Sequence, residues 1–172
     1  MITIPNTQRV CLVFEDDNGS KVYRSSQPNY IDEPGIDTVQ VYSDVQIEAL
    51  LTHNIKNIIS ANYENVSTDS IQRLNCKGIE VHHYRVKDFT SPTREQVTLA
   101  AKEIQKARSK GVSSLIYCGY GCGRTGTFVS AWEILAGIKT KKKALEDTTA
   151  EDIVPAQKIL LESLTEGELV VK

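Results

Sequence analysis

Residues 116–128 read I-Y-C-G-Y-G-C-G-R-T-G-T-F and place four glycines and two cysteines within nine positions. Apolar residues precede the glycines, and an amphipathic stretch, residues 128–138, follows them. This order predicts a buried strand, a glycine-rich loop and a helix. Inward N–H groups of such a loop, together with the positive end of the following helix, form a cradle for an anion. We therefore expect the stretch to bind phosphate or a similar anion.

Two familiar phosphate-binding motifs fit this stretch poorly. Residues 121–126 match G-x-G-x-x-G, but a dinucleotide site also needs an acidic residue at the end of the next strand. Glu146 and Asp147 have that distance, yet the lysine-rich run 139–143 precedes them and is no buried strand. A nucleoside-triphosphate loop requires lysine at position 127, where the chain has threonine. Both interpretations also leave the cysteine and the arginine without a role.

A third interpretation uses every unusual residue of the loop. Cys118 and Arg124 bracket five residues, so inward N–H groups stabilise a Cys118 thiolate that can attack phosphorus. Arg124 can hold two phosphate oxygens in a fork, and Thr125 can donate its hydroxyl to the sulfur. If Gly121 and Gly126 need positive φ, alanine at either position should damage the loop.

The spacing Cys118-x-x-Gly121-x-x-Arg124-Thr125-Gly126 resembles the signature of the cysteine-dependent protein tyrosine phosphatase superfamily. Its small dual-specificity-like branch is the most similar one. Residues 23–28 resemble the entry segment of that branch, and residues 84–93 resemble its general-acid loop and the following helix start. The similarity thus touches most of residues 20–165. The superfamily usually has histidine before the nucleophile, where this chain has Tyr117.

The resemblance implies a phosphatase that works through a phosphocysteine intermediate without metal or other cofactor. Cys118 would be the nucleophile, Asp88 the general acid and then the general base, and Arg124 the clamp on the phosphoryl oxygens, assisted by Thr125. The residues expected to bind the substrate phosphate are Gly119, Tyr120, Gly121, Cys122, Gly123 and Arg124.

Strands that alternate with helices along the chain predict an α/β fold. We expect strands at 10–14, 21–24, 55–61, 79–86 and 113–117, and helices at 44–53, near 71–74, from 92 on, at 125–138, near 144 and at 155–164. Asp44 is the expected cap of the first helix, and Val45, Ile47, Leu50 and Leu51 are its expected inward residues. Together these elements predict one domain over residues 1–172, with a central, largely parallel sheet between layers of helices. Ligands of such sheets bind where loops leave the carboxyl ends of the strands.

Composition and charge limit the compartment and the partners. The net charge of −2 gives no global basic field, so nucleic acid is not an expected partner. The N-terminus has no secretory signal pattern, and no run of about 20 apolar residues predicts a membrane span. Four cysteines in 172 residues do not resemble a disulfide scaffold. A reducing, cytoplasmic location is therefore expected.

The variable loop positions 119, 120, 122 and 123 contain no basic residue. Family members that prefer inositol phospholipids often have lysines there. The expected substrate is therefore a phosphorylated protein, with phosphotyrosine first and phosphoserine or phosphothreonine second. Three alternatives remain open: a phosphoinositide phosphatase, a phosphatase of nucleic-acid ends, and a weakly active phosphate-binding module.

Overall fold

A hairpin followed by crossover connections builds a single mixed sheet. The structure is a computed structural model and describes residues 2–32, 37–148 and 153–170. Its strands are β1 (Cys11–Glu15), β2 (Lys21–Ser26), β3 (Ile55–Ser60), β4 (Glu80–His83) and β5 (Ser113–Cys118). Their order across the sheet is β1-β2-β5-β3-β4. Among the pairings of these described strands, the β1–β2 hairpin is antiparallel and the other three are parallel, so the prediction of a largely parallel sheet is confirmed.

Helices cover both faces of this sheet. They are α1 (Asp44–Thr52), α2 (Thr68–Cys76), α3 (Arg94–Ser109), α4 (Gly123–Leu135), α5 (Lys141–Thr148) and α6 (Pro155–Ser163). One buried cluster joins the sheet to α3, α4, α5 and α6, and a second joins its other face to α1 and α2. Strand β5 supplies residues alternately to the two clusters, as a strand buried on both faces must. The three-layer α/β prediction is therefore confirmed.

The periodic sequence of α3 determines how this helix packs. Its buried residues repeat at helical spacing: Val97, Ala100, Ala101, Ile104 and Ala107. The helix begins after Thr93, whose side chain forms a capping box with Gln96. The helix therefore starts at Arg94, two residues later than predicted, and Pro92 lies outside its first turn. Trp132 of α4 is fully buried in the same cluster.

Several boundaries differ from the sequence predictions. Ser43, not Asp44, caps α1, because the Ser43 hydroxyl accepts the Gln46 N–H and the Gln46 side chain accepts the Ser43 N–H. Gln46 takes the buried position at the start of this helix, and the neighbouring Val45 is 62% exposed, which contradicts its inward prediction. Strand β4 is shorter than expected, and α4 begins at Gly123, two residues earlier than predicted. Ser67 caps α2, whose first helical residue is Thr68.

No helix in the described ranges combines the length and the apolar character that crossing a bilayer requires.

Candidate active site

The glycine-rich loop lies between β5 and α4, at the carboxyl end of the central strand. Cys118 is the last residue of β5 and is buried. The Gly121 N–H donates to the Cys118 sulfur over 3.2 Å. Helix α4 starts directly after Cys122, and no side chain in the described part of the chain caps its first turn. The N–H groups of that turn have no partner within the helix, so together with the helix dipole they add to the anion cradle above the sulfur.

The carbonyl groups of the loop point away from the sulfur and are held by β2 and its continuation. One guanidinium nitrogen of Arg24, Nη2, donates to the Gly121 carbonyl over 2.7 Å and to the Cys122 carbonyl over 3.4 Å. The Gln27 N–H donates to the Gly119 carbonyl over 3.1 Å. Holding the carbonyls outward leaves the N–H groups of the loop directed inward. Arg24 and Gln27 thus explain why the entry segment quoted from the sequence belongs to the site.

Arg124 lies in the first turn of α4 and is only 3% exposed. Its Nη1 donates to the Val86 carbonyl over 3.0 Å, and both Nη atoms contact the carboxylate of Asp37, with Nη2 2.8 Å from Oδ1. Burial alone would lower the pKa of Arg124, but the hydrogen bond to Asp37 and the charge interactions with Cys118, Asp37 and Asp88 outweigh it, and the pKa is raised. Nε is buried and has no partner among the described residues, so it remains available to an incoming phosphoryl oxygen.

Asp37 is a site residue that the sequence predictions missed. Its side chain is 9% exposed, and one carboxylate oxygen accepts the Tyr63 N–H over 2.9 Å. The carboxylate also packs against Gly119, where a Cβ atom would lie 2.2 Å from Oδ1. Nothing in the local sequence distinguishes Asp37 from other loop acids. Its role becomes visible only when the fold brings it to Arg124, 87 positions later in the chain.

The structure brings Asp88 to the same cavity as Cys118. The Asp88 side chain is 47% exposed, and its Oδ1 lies 3.1 Å from Nη2 of Arg124. The Phe89 N–H donates to the same oxygen over 3.0 Å. Phe89 has a φ of +57°, so the backbone turns sharply after the acid. A carboxyl group in this position can reach the leaving oxygen of a phosphate bound above Cys118.

Two neighbours of the nucleophile, Thr125 and Tyr117, make no hydrogen bond to its sulfur within the described part of the chain. The Thr125 hydroxyl is buried and has no hydrogen-bond partner within the described part of the chain. The expected bond from Thr125 to the Cys118 sulfur is therefore not formed in this structure. Tyr117 lies on the opposite face of the sheet, where its hydroxyl is 3.3 Å from Oε1 of Gln40. Burial raises the pKa of Tyr117 to about 12, so this residue supplies packing and no charge.

Aromatic side chains form the mouth of the cavity, which has a volume of about 350 Å³. Tyr30 and Tyr120 meet edge to face with their ring centroids 6.1 Å apart. The Arg9 guanidinium lies 3.6 Å from the Tyr120 centroid and fixes that ring by a cation–π contact. Phe89 projects from the opposite loop and is 79% exposed. The cavity is also lined by Cys118, Asp88 and Arg124 and by Cys122, Gly123, Val154 and Gln157.

Gly121 and Gly126 differ in backbone conformation and in the space for a Cβ atom, and their alanine variants should differ accordingly. Gly121 has a φ of +98°, and a Cβ atom there would lie 2.6 Å from the Ser25 carbonyl oxygen. We expect Gly121→Ala to lower kcat by about 10²-fold or more, because the loop must shift to relieve the clash. Turnover of para-nitrophenyl phosphate measures this loss.

Gly126→Ala is the matched control. Gly126 has helical geometry without positive φ, and the nearest atom to a new Cβ is 3.8 Å away. The condition of positive φ, under which alanine is expected to damage the loop, therefore holds at Gly121 but not at Gly126. Alanine should leave turnover nearly unchanged and stabilise α4 by about 0.5–1 kcal/mol. Equal losses in the two variants would contradict this account of the loop.

Comparisons with known proteins bear on the family and the fold. A family model described as "Polymorphic toxin system, DSP-PTPase phosphatase" matches residues 35–138. That segment contains Asp37, Asp88, Cys118 and Arg124, whereas Tyr30, Val154 and Gln157 of the cavity lie outside it.

Three solved structures illustrate the shared fold. Tk-PTP in its active form has a TM-score of 0.65 and 22% identity, covering 98% of this chain and all of that one (100%). PTPMT1 in complex with PI(5)P has a TM-score of 0.62 and 16% identity, covering 87% and 91%. The catalytic core of the PP-IP phosphatase SIW14 from S. cerevisiae, in complex with citrate, has a TM-score of 0.61 and 15% identity, covering 91% of each chain. At these identities the likeness concerns the fold.

Proposed function

Because the chain belongs to the DSP-PTPase phosphatase family of the polymorphic toxin systems, we propose that it is a protein phosphatase with phosphotyrosine as its preferred substrate. Phosphoserine and phosphothreonine are proposed as poorer substrates. The broader class, a phosphatase of the dual-specificity and tyrosine phosphatase fold, rests on the family match and the shared architecture. The preference for phosphotyrosine rests on the walls of the cavity.

The proposed reaction has two steps. The Cys118 sulfur attacks phosphorus in line, the bond from phosphorus to the ester oxygen breaks, and Asp88 gives its proton to that oxygen. The loop N–H groups and Arg124 bind the three equatorial oxygens during the transfer. In the second step Asp88 removes a proton from water, water attacks the phosphocysteine, and inorganic phosphate and the thiolate are released.

The aromatic mouth is the observation that carries the substrate proposal. Tyr30, Phe89 and Tyr120 surround a cavity whose floor holds the nucleophile and Arg124. A phenyl ring bound between such side chains gains stacking contacts as well as buried area. Among the described residues that line the cavity, Arg124 alone is basic. A multiply phosphorylated inositol ring would need further cationic partners, so the site suits one phosphate on an aromatic group.

A substrate panel tests the preference. We expect kcat/KM for a phosphotyrosine peptide to exceed that for the matched phosphoserine peptide and for PI(5)P in vesicles by at least about tenfold. Phe89→Ala should lower kcat/KM for the phosphotyrosine peptide by about 5–10-fold, the equivalent of one aromatic contact of about 1–1.4 kcal/mol. Phosphoserine turnover should change little, because a small alkyl phosphate does not reach the ring.

Leu99→Ala is the matched control for this variant. Leu99 is an exposed apolar residue of α3 that does not line the cavity, and its loss should leave the whole panel unchanged. Faster turnover of PI(5)P than of the phosphotyrosine peptide would overturn the substrate proposal. An equal loss on every substrate in Phe89→Ala would show that Phe89 supports the Asp88 loop and does not select the ring.

A further inference from the structure

A group of potential metal ligands lies outside the active site, where α3 packs beside the edge strand β4. Glu80 and His82 are two positions apart on β4, so they share one face of the sheet. Glu103 of α3 faces them across the gap. One ligand atom from each of the three residues lies within 4.8 Å of the other two. We call this group the β4–α3 triad.

The imidazole of His82 lacks a hydrogen-bond partner at one of its two nitrogen atoms. Its Nε2 atom is shielded from solvent and has no hydrogen-bond partner among the residues described. It lies 3.6 Å from Oε2 of Glu80 and 3.7 Å from Oε2 of Glu103. Both separations exceed the usual 2.7–3.2 Å range of an N–H···O hydrogen bond. A buried nitrogen left without a partner costs free energy, so a ligand that all three atoms can share would stabilise the group.

The same separations suit a small tetrahedral cation. Zinc binds histidine nitrogen and carboxylate oxygen at about 2.0–2.2 Å, which places neighbouring ligands about 3.3–3.5 Å apart. The two separations from Nε2 exceed that spacing by only a few tenths of an ångström, and the two carboxylate oxygens lie within 4.8 Å of each other. A neutral imidazole and two carboxylates also balance the charge of a divalent ion. Magnesium and calcium prefer six or more oxygen ligands, which this set does not provide.

We propose that Glu80, His82 and Glu103 bind a zinc ion, with a water molecule at the fourth position. The His82 side chain is 25% exposed and Glu80 is 59% exposed, so an ion can enter from solvent. Bound zinc would tie the edge strand β4 to α3. This site is separate from the phosphatase cavity, and neither its binding nor its test depends on the proposed reaction.

Lys106 is the competitor for the same position. Its ammonium group lies 3.3 Å from Oε2 of Glu103 and 4.0 Å from Oε2 of Glu80, one turn further along α3. The Lys106 side chain is half exposed and can move into solvent when an ion enters. Its charge must nevertheless oppose a cation at the triad. The proposal therefore predicts that Lys106→Gln binds zinc several-fold more tightly than the unaltered chain.

Zinc titration followed by calorimetry and histidine-selective NMR tests the proposal. We expect one zinc equivalent that involves the triad, with the His82 resonance shifting during its addition. The chain has three histidines, and the other two, His53 and His83, serve as internal references because neither belongs to the triad. His82→Ala and the nearly isosteric Glu103→Gln should each weaken binding at least tenfold, whereas His53→Ala should not.

Cysteine thiolates are the main rival ligands in this chain, and cobalt distinguishes them. Cobalt bound by nitrogen and oxygen gives visible absorption without thiolate-to-metal charge-transfer bands, whereas cobalt bound by cysteine gives those bands. Thiolate bands at the first equivalent would overturn the proposal. So would a loss of affinity below tenfold in His82→Ala or in Glu103→Gln, an unmoved His82 resonance, or unchanged affinity in Lys106→Gln.

Discussion

Cys118→Ser is expected to lower kcat by at least about 10⁴-fold, as the loss of a catalytic nucleophile typically does. The serine hydroxyl remains protonated at neutral pH, so it lacks the anionic sulfur that attacks phosphorus. The replacement has nearly the same size in a buried position, and the Gly121 N–H that now donates to the sulfur can donate to the new oxygen. The fold and the anion cradle should therefore persist. Release of para-nitrophenol measures turnover, and fluorescence anisotropy measures binding of a phosphotyrosine peptide.

Cys76→Ser is the control for this change. Cys76 is an exposed thiol at the end of α2 and does not line the cavity, so turnover should remain as in the unaltered chain. Activity above about 1% in Cys118→Ser would place the nucleophile elsewhere. An unaltered chain that binds the peptide tightly but releases no phosphate would instead favour the phosphate-binding module left open by the sequence.

The part of the site that the sequence predicts is the part encoded by local spacing. The residues from Cys118 to Thr125 are contiguous, and glycine positions, the following helix and the preceding strand all constrain the same short loop. The α3 helix was predictable for a similar reason, since its buried residues repeat at helical spacing and Thr93 caps it through Gln96. Local signals of this kind survive tertiary packing because they already agree with it.

Residues that only the fold brings together could not be found this way. Asp37 is separated from Arg124 by 87 positions, and the β4–α3 triad joins two strand residues to a helix residue about twenty positions later. Thr125 shows the converse limit: its spacing suggested a bond to the nucleophile, but the hydroxyl has no such partner in the described chain. Side-chain orientation within a first helical turn depends on packing that spacing alone does not specify.

Arg124→Lys is expected to lower kcat/KM by at least about 10³-fold, comparable to the loss of an arginine that stabilises a phosphoryl-transfer transition state. Lysine keeps the charge but loses Nε, the donor that is free for substrate, and it cannot form two parallel bonds. It also loses the paired contact that Asp37 makes with both Nη atoms. Initial rates with para-nitrophenyl phosphate and the binding constant of vanadate measure the two consequences.

Two further variants separate direct contact with substrate from support by the fold. Arg94→Lys makes the same chemical change at an exposed arginine that pairs with Glu168, and turnover should be unaffected.

Asp37→Asn keeps an acceptor for Arg124 and for the Tyr63 N–H but removes the negative charge, so its loss of activity should be clearly smaller than that of Arg124→Lys. If Asp37→Asn were as damaging, Arg124 would matter chiefly as the partner of Asp37, and its assignment as the clamp on the phosphoryl oxygens would fail. If instead vanadate bound Arg124→Lys as tightly as the unaltered chain, the guanidinium would not contact the oxyanion at all.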